Sequence, residues 1–269
     1  KKKMPYRAYV TVSRVKEKEM EHKRPVIASV SSGKGGVGKT FVTVNIGAYL
    51  AHRGKKVLIV DCDLGLANID VMIGVKPSLT LKEAIFEDKI IDDIAIHTRH
   101  GFDFVPASSG AIEMAQLMYE DIEKIKEGLT RLAQHYDTII LDTGAGISES
   151  VLQFNLFANK NIILLNRELT SLTDAYATIK VIYQAFGRNS FNIIVNSTKN
   201  EEEAKRIFNH IDSICKRFLG FPLQYLGHIV YDDVVPRSIM KQETLLTHQD
   251  QSTPAINCAS IAENIVSWQ

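Results

Sequence analysis

Ser32-Gly33-Lys34-Gly35-Gly36-Val37-Gly38-Lys39-Thr40 satisfies the pattern G-x-x-x-x-G-K-[ST], and its flanks supply the context that pattern needs. The apolar run Val26-Ile27-Ala28-Ser29-Val30 before it reads as a buried strand. A helical pattern begins near Thr40 and continues through Ile46 and Leu50. Glycines let the backbone wrap closely around an anion and aim its N–H groups inward, while the following helix presents its positive end. The stretch is therefore a polyphosphate cradle, with backbone from Gly33, Gly35, Gly36, Val37 and Gly38. Lys39 is the expected β/γ-phosphate ligand and Thr40 the hydroxyl that helps hold Mg²⁺. Lys34 is an additional cation in the loop, with a stem long enough to reach beyond its own cradle.

The rest of the chain limits what can surround this loop. With 269 residues, 45% of them apolar, there is enough material for one α/β domain with a sizeable core. Lys and Arg number 32 against 31 acids, a net charge of +1, so no global field draws nucleic acid or an anionic membrane and any such contact must be local. Cys62, Cys215 and Cys258 form no C-x-x-C pair, which suits a reducing cytoplasm and disfavours an iron–sulfur carrier. No apolar run approaches the ~20 residues that span a bilayer. Residues 1–24 are rich in Lys and Arg and read as a basic, solvated extension; residues 25–269 read as the folded domain.

From Val26 onward strand and helix patterns alternate. Val57–Val60, Phe102–Val105, Thr138–Leu141, Asn161–Leu165 and Phe191–Val195 are short apolar runs bounded by polar residues, as expected of strands buried on both faces. The clearest helical pattern runs from Glu201 to Leu219. Such alternation implies right-handed crossovers and a mostly parallel central sheet with helices on both faces, the α/β class of phosphate-loop NTPases. Ligands in such sheets sit beyond the C-terminal strand ends, so the loop, Asp61, Asp63 and Asp142 can converge. Alternation along the backbone points Asp61 and Asp63 to opposite sides, so they are expected to do different work. Pro254 to Gln269 carries Glu263 and no Lys or Arg, and reads as a last core-packing helix rather than an interfacial one, any membrane anchor being expected beyond it.

The loop with its additional lysine resembles the deviant phosphate loop of the MinD/ParA family of ATPases. Asp61-Cys62-Asp63-Leu64-Gly65-Leu66-Ala67-Asn68-Ile69-Asp70 is similar to that family's first switch and Ile139-Ile140-Leu141-Asp142-Thr143-Gly144-Ala145-Gly146-Ile147 to its second. Thr170-Ser171-Leu172-Thr173-Asp174-Ala175-Tyr176 is similar to a segment of the FlhG (FleN, YlxH) branch, which regulates flagellar number and placement.

The resemblance implies ATP and ADP as ligands, Mg²⁺ as cofactor and a nucleotide-sandwich homodimer formed with ATP. It implies Lys34, Lys39, Asp63 and Asp142 as catalytic residues: Asp63 positions the attacking water and Asp142 orients Mg²⁺ through its water shell. Asp61 is implied as a carboxylate on the Mg²⁺ side or in a structural role, with Asn68 assisting near the γ-phosphate. Glu168 falls where the family contacts the nucleotide of the opposite subunit. Asn196 matches an asparagine that hydrogen-bonds adenine, and Asp232 lies in the other base-lining segment. Adenine is favoured because Asn196-Ser197-Thr198-Lys199 only approximates the guanine motif N-K-x-D.

The implied partners are a second copy and flagellar assembly or transcription proteins, FlhF among them, with reversible contact at the inner face of the cell membrane. The Gln-, Leu- and Arg-rich activator motif that serves FlhF in that branch is not found in residues 1–24. Rival readings are an ATP-gated scaffold with negligible hydrolysis, a division-site or partitioning ATPase of the same family, and a small-molecule kinase.

Overall fold

In the computed structural model, residues 25–268 are described apart from 109, 111, 116 and 247–250; the basic extension 1–24 lies outside the described residues. Eight strands are formed: β1 Val26–Ser32, β2 Val57–Cys62, β3 Ile96–His97, β4 Asp103–Val105, β5 Thr138–Ala145, β6 Lys160–Asn166, β7 Asn192–Thr198 and β8 Gln224–Val230. They make one sheet in the order β3-β4-β2-β5-β1-β6-β7-β8. Every pairing is parallel except β3 with β4. The longer helices are α1 Lys39–His52, α2 Tyr119–Leu132, α3 Glu149–Phe157, α4 Leu169–Phe186, α5 Glu201–Phe218 and α6 Thr253–Val266. Among the described residues no helix is long and apolar enough to cross a membrane.

The period of two along each strand sorts neighbouring residues into opposite cores, which is why the strands read as unbroken apolar runs. Ile59, Ile140, Ile162, Leu164 and Ile194 join one cluster with Phe41, Val44 and Ala48 of α1 and Cys258, Ile261 and Ile265 of α6. Their neighbours Leu58, Val60, Ile139 and Leu141 face the other way, against Ile122, Ile125 and Leu129 of α2 and Phe154 of α3. Ile163, Leu165, Ile193 and Val195 meet Ala175, Ile179 and Ile182 of α4 and Ala204, Ile211 and Cys215 of α5.

The carboxyl-terminal helix is a core helix, as its lack of basic residues implies: Ala255, Cys258, Ile261 and Ile265 are buried against α1 and β8. It also seals the edge of β8, where Asn257 Oδ1 accepts from the Val230 N–H at 3.2 Å and Asn264 Nδ2 donates to the Leu226 carbonyl at 3.0 Å. The β8 strand runs unbroken through Gly227, where a Cβ would lie 2.6 Å from Ile261 Cγ1, but its register with β7 shifts just before that residue. At the opposite edge β3 has two residues.

β1 lies inside the sheet between β5 and β6. Chain order reverses across it, with β2 and β5 to one side and β6, β7 and β8 to the other. Such a switch point opens a crevice beyond the strand ends.

Candidate functional site

The loop that leaves β1 enters α1 through Gly38 at φ 96°, a left-handed conformation that disfavours side chains, and no side chain caps the helix. Its first N–H groups are thus left for an anion. On the other side of the loop, a Cβ at Gly33 would lie 2.2 Å from the Asp174 carbonyl oxygen, so the loop rests directly on α4.

Gly35, Gly36, Gly38, Lys39 and Thr40 line a cavity of about 610 Å³, closed opposite by Asp63, Asn68, Gly144 and Ala145. Phe41, Met72, Met114 and Ile239 add an apolar wall that the sequence did not announce; no local motif marks them. Cys62 is a buried apolar filler at the cavity's base.

Asp142, ending the apolar part of β5, is buried. Its carboxylate accepts from the Thr43 hydroxyl at 3.3 Å and from the Thr40 hydroxyl, with the Lys39 ammonium nearby. Burial pushes its carboxyl up to about 6 in spite of those three stabilising groups. The Thr40 hydroxyl and the Asp142 carboxylate therefore meet at one point, an oxygen pair that suits Mg²⁺, with the Lys39 ammonium beside it for phosphate oxygens.

Asp61 and Asp63 do separate. Asp63 is half-buried, lines the cavity and sits opposite Gly144, whose Cβ would be 3.4 Å from Asp63 Oδ1. Asp61 points away and is buried. Its Oδ1 accepts from the Asp63 N–H at 3.0 Å and its Oδ2 from the N–H groups of Asn68 and Ile69 at 3.1 and 3.3 Å. Both Asp61 oxygens hold the first switch, which is the structural role the resemblance allowed beside a place on the Mg²⁺ side. Burial, and then the adjacent Asp142 carboxylate across the β2–β5 ladder, push Asp61 up to about 8 against the pull of those N–H groups. Asn68 lines the cavity while its side-chain amide donates to the Leu66 carbonyl.

The second switch is anchored to the loop's own strand. Thr143 Oγ1 donates to the Val30 carbonyl at 3.1 Å, and the Gly146 N–H donates to the Ser32 carbonyl at 2.8 Å. Beneath both lies a buried polar network that sequence reasoning missed. Asn155 Oδ1 accepts from Ser29 Oγ at 2.9 Å, and Asn155 Nδ2 donates to Ser31 Oγ at 2.8 Å.

Lys34, whose stem reaches beyond its own cradle, and Glu168, implied as a contact to the opposite subunit's nucleotide, meet each other within one chain. Lys34 Nζ is ion-paired with the Glu168 carboxylate and also donates to Thr170 Oγ1 at 3.3 Å. That ammonium holds the Glu168 carboxyl below its ordinary range.

Asn196 and Asp232 do not themselves line the 610 Å³ cavity, although Asn196 sits directly against Gly38, which does. Asn196 Nδ2 donates to the Val37 carbonyl at 2.7 Å, and Asp232 Oδ1 accepts from the Val234 N–H at 2.8 Å. Their segments do come together, through the Tyr231 N–H and the Thr198 carbonyl at 2.8 Å.

A parallel sheet with an anion loop at its switch point, two switch segments and a threonine–aspartate pair defines the class of phosphate-loop nucleotide hydrolases. Known proteins agree. A family model described as an AAA domain matches residues 25–193. The antiactivator FleN of Pseudomonas aeruginosa is 34% identical over 252 residues, covering 93% of this chain and 90% of that one. The flagellum site-determining protein YlxH of Helicobacter pylori is 28% identical over 227 residues, covering 81% and 74%. Among solved structures, the septum site-determining protein MinD of Pyrococcus horikoshii complexed with Mg-ADP superposes with a TM-score of 0.76 at 25% identity, covering 90% of this chain and 96% of that one. The chain belongs to the MinD/ParA family of ATPases, in the branch of FleN and YlxH.

Proposed function

We propose that this ATPase is a nucleotide-dependent switch, a monomer with ADP and a sandwich dimer with ATP, that regulates flagellar number and placement. The observation that carries the switch is the pairing of Lys34 with Glu168 and Thr170 inside one chain. The additional lysine of the loop is held by residues at the start of α4, and it is available to a facing copy only when that pairing opens.

The chemistry follows from the geometry. The uncapped start of α1 and Lys39 bind the β- and γ-phosphates. Thr40 and Asp142 would hold Mg²⁺, which when bound would supply neutralising charge for the phosphates. Asp63, beside Gly144 on the cavity wall, orients the water that attacks the γ-phosphorus. Gly144 and Ala145 line the cavity, so their backbone meets the γ-phosphate, and its loss releases the second switch. Asp61 keeps the first switch in register throughout. Adenine is read at Asn196 and Asp232.

The flagellar assignment rests on the likeness to FleN and YlxH. A cytoplasmic protein with reversible contact at the membrane's inner face, displaying α4 to flagellar assembly or transcription proteins, is in keeping with it. Apolar Leu66, Ile147 and Leu169 stand exposed on the segments around the loop, where a facing copy or partner would cover them.

Light scattering decides the switch: dimers with Mg-ATP and Asp63→Ala, monomers with ADP, and little dimer for Lys34→Ala. A mass indifferent to nucleotide would overturn it. Flagellar counts in a deletion strain decide the output, normal flagella with aberrant division or segregation moving the protein to the division-site or partitioning reading. Full dimerisation with no measurable phosphate release, unchanged by Asp63→Ala, would favour the scaffold.

A further inference from the structure

Asn196 reaches under the phosphate loop. Its side chain is 7% exposed and its Nδ2 donates to the Val37 carbonyl at 2.7 Å. A Cβ at Gly38 would lie 2.4 Å from the same nitrogen, so the loop is seated directly on this amide. The strand is shaped to present it: Ser197 takes φ 56°, and the β7–β8 register shifts between Val195 and Thr198.

The planar trans peptide makes that contact consequential. The Val37 carbonyl and the Gly38 N–H belong to one peptide plane and point in opposite directions. Fixing the carbonyl on Asn196 therefore aims the Gly38 N–H away from it, and Gly38 lines the cavity. A primary amide has two N–H groups and one carbonyl oxygen. With one N–H on Val37, the second N–H and Oδ1 remain for a base.

We infer that Asn196 is a positioning residue of the phosphate loop, orienting the Val37–Gly38 peptide for phosphate binding, in addition to any contact it makes with adenine. It rests on the reading of the loop as the ATP site. Base and phosphate recognition are then mechanically joined through one side chain.

The test separates the two tasks with a ligand that has no base. Calorimetric titrations of Mg-ADP and of inorganic pyrophosphate with Mg²⁺ are run on wild type, Asn196→Ala and Asn192→Ala. The last is a control on the same strand, whose amide donates to the Asn161 carbonyl at 3.3 Å, away from the loop. Asn196→Ala is expected to weaken pyrophosphate about tenfold, because a buried carbonyl loses its donor, and Mg-ADP by at least that factor. Asn192→Ala is expected to weaken neither. Loss confined to ADP would make Asn196 a base reader alone and overturn the inference, as would no loss at all. A wild type that binds neither ligand overturns the nucleotide reading itself, and this inference with it. Should Asn196→Ala fail to fold, nuclear magnetic resonance of wild type decides: Asn196 side-chain amide signals that shift with pyrophosphate support the inference, and unmoved signals overturn it.

Discussion

The two ends of the nucleotide crevice are built from different material. At the phosphate end, the groups on offer are backbone N–H groups, an uncapped helix and one buried lysine, all within or opened by a nine-residue stretch. At the end proposed for the base, Asn196 and Asp232 are single side chains already engaged with their own protein, on the loop carbonyl and on a helix start. Backbone recognition leaves a legible motif. Side-chain recognition spread over two strand ends leaves residues that look like turn formers until their partners are seen.

The largest effect should come from the phosphate end. Lys39→Ala is expected to lower Mg-ATP affinity by on the order of a hundredfold, since a buried charge-assisted contact has no substitute. Gly33→Ala should act in the same direction, because its Cβ would lie 2.2 Å from backbone of Asp174, which cannot swing aside. Titration calorimetry reads both, and near-normal affinity in either would break the comparison.

Asp63→Ala should separate binding from turnover: affinity within about twofold of wild type, phosphate release slowed by about a hundredfold or more, in line with losing a water-positioning group. Equal release by wild type and variant would remove Asp63 from the chemistry.

Asp61→Ala should act on stability, at about 2 kcal/mol, by leaving three switch N–H groups without an acceptor. A pH series sharpens the point. Asp61 and Asp142 are both raised, to about 8 and about 6, so the folded chain holds protons that the unfolded chain has released. Stability of the ligand-free protein should therefore fall as pH rises from the ordinary carboxylate range through about 8. Thermal melts that rise across that window would contradict the burial of the pair.

Asp232→Ala belongs at the bottom of the scale. It removes the acceptor of the Val234 N–H where the short helix Val234–Met240 begins, about 1 kcal/mol of local stability, and any further loss measured only with ADP and not with pyrophosphate would be its share of base recognition.

What the sequence made legible follows the same division. The strands of the inner sheet were readable because residues buried on both faces leave unbroken apolar runs. The loop and both switches were readable because each follows such a run. β8 was hidden by Gly227, which breaks the pattern where α6 presses closest. The two-residue strand Ile96–His97 is too short to carry a period. The ion pair of Lys34 with Glu168 spans 134 positions of chain, and nothing local in either residue names the other. Asp61 shows how spacing succeeds and stops: alternation told it apart from Asp63, but only the fold shows three N–H groups converging on its oxygens.

The sealed edge of β8 bears on how copies of this chain can add up. A sheet recruits another sheet through unpaired groups along an edge strand. Here Asn257 and Asn264 occupy such groups on β8, and β3 at the far edge is two residues long. Strand addition, the route by which a parallel sheet would grow into an open-ended fibre, is therefore blunted at both margins. The proposed sandwich dimer would then have to form through faces other than the sheet margins of the described residues.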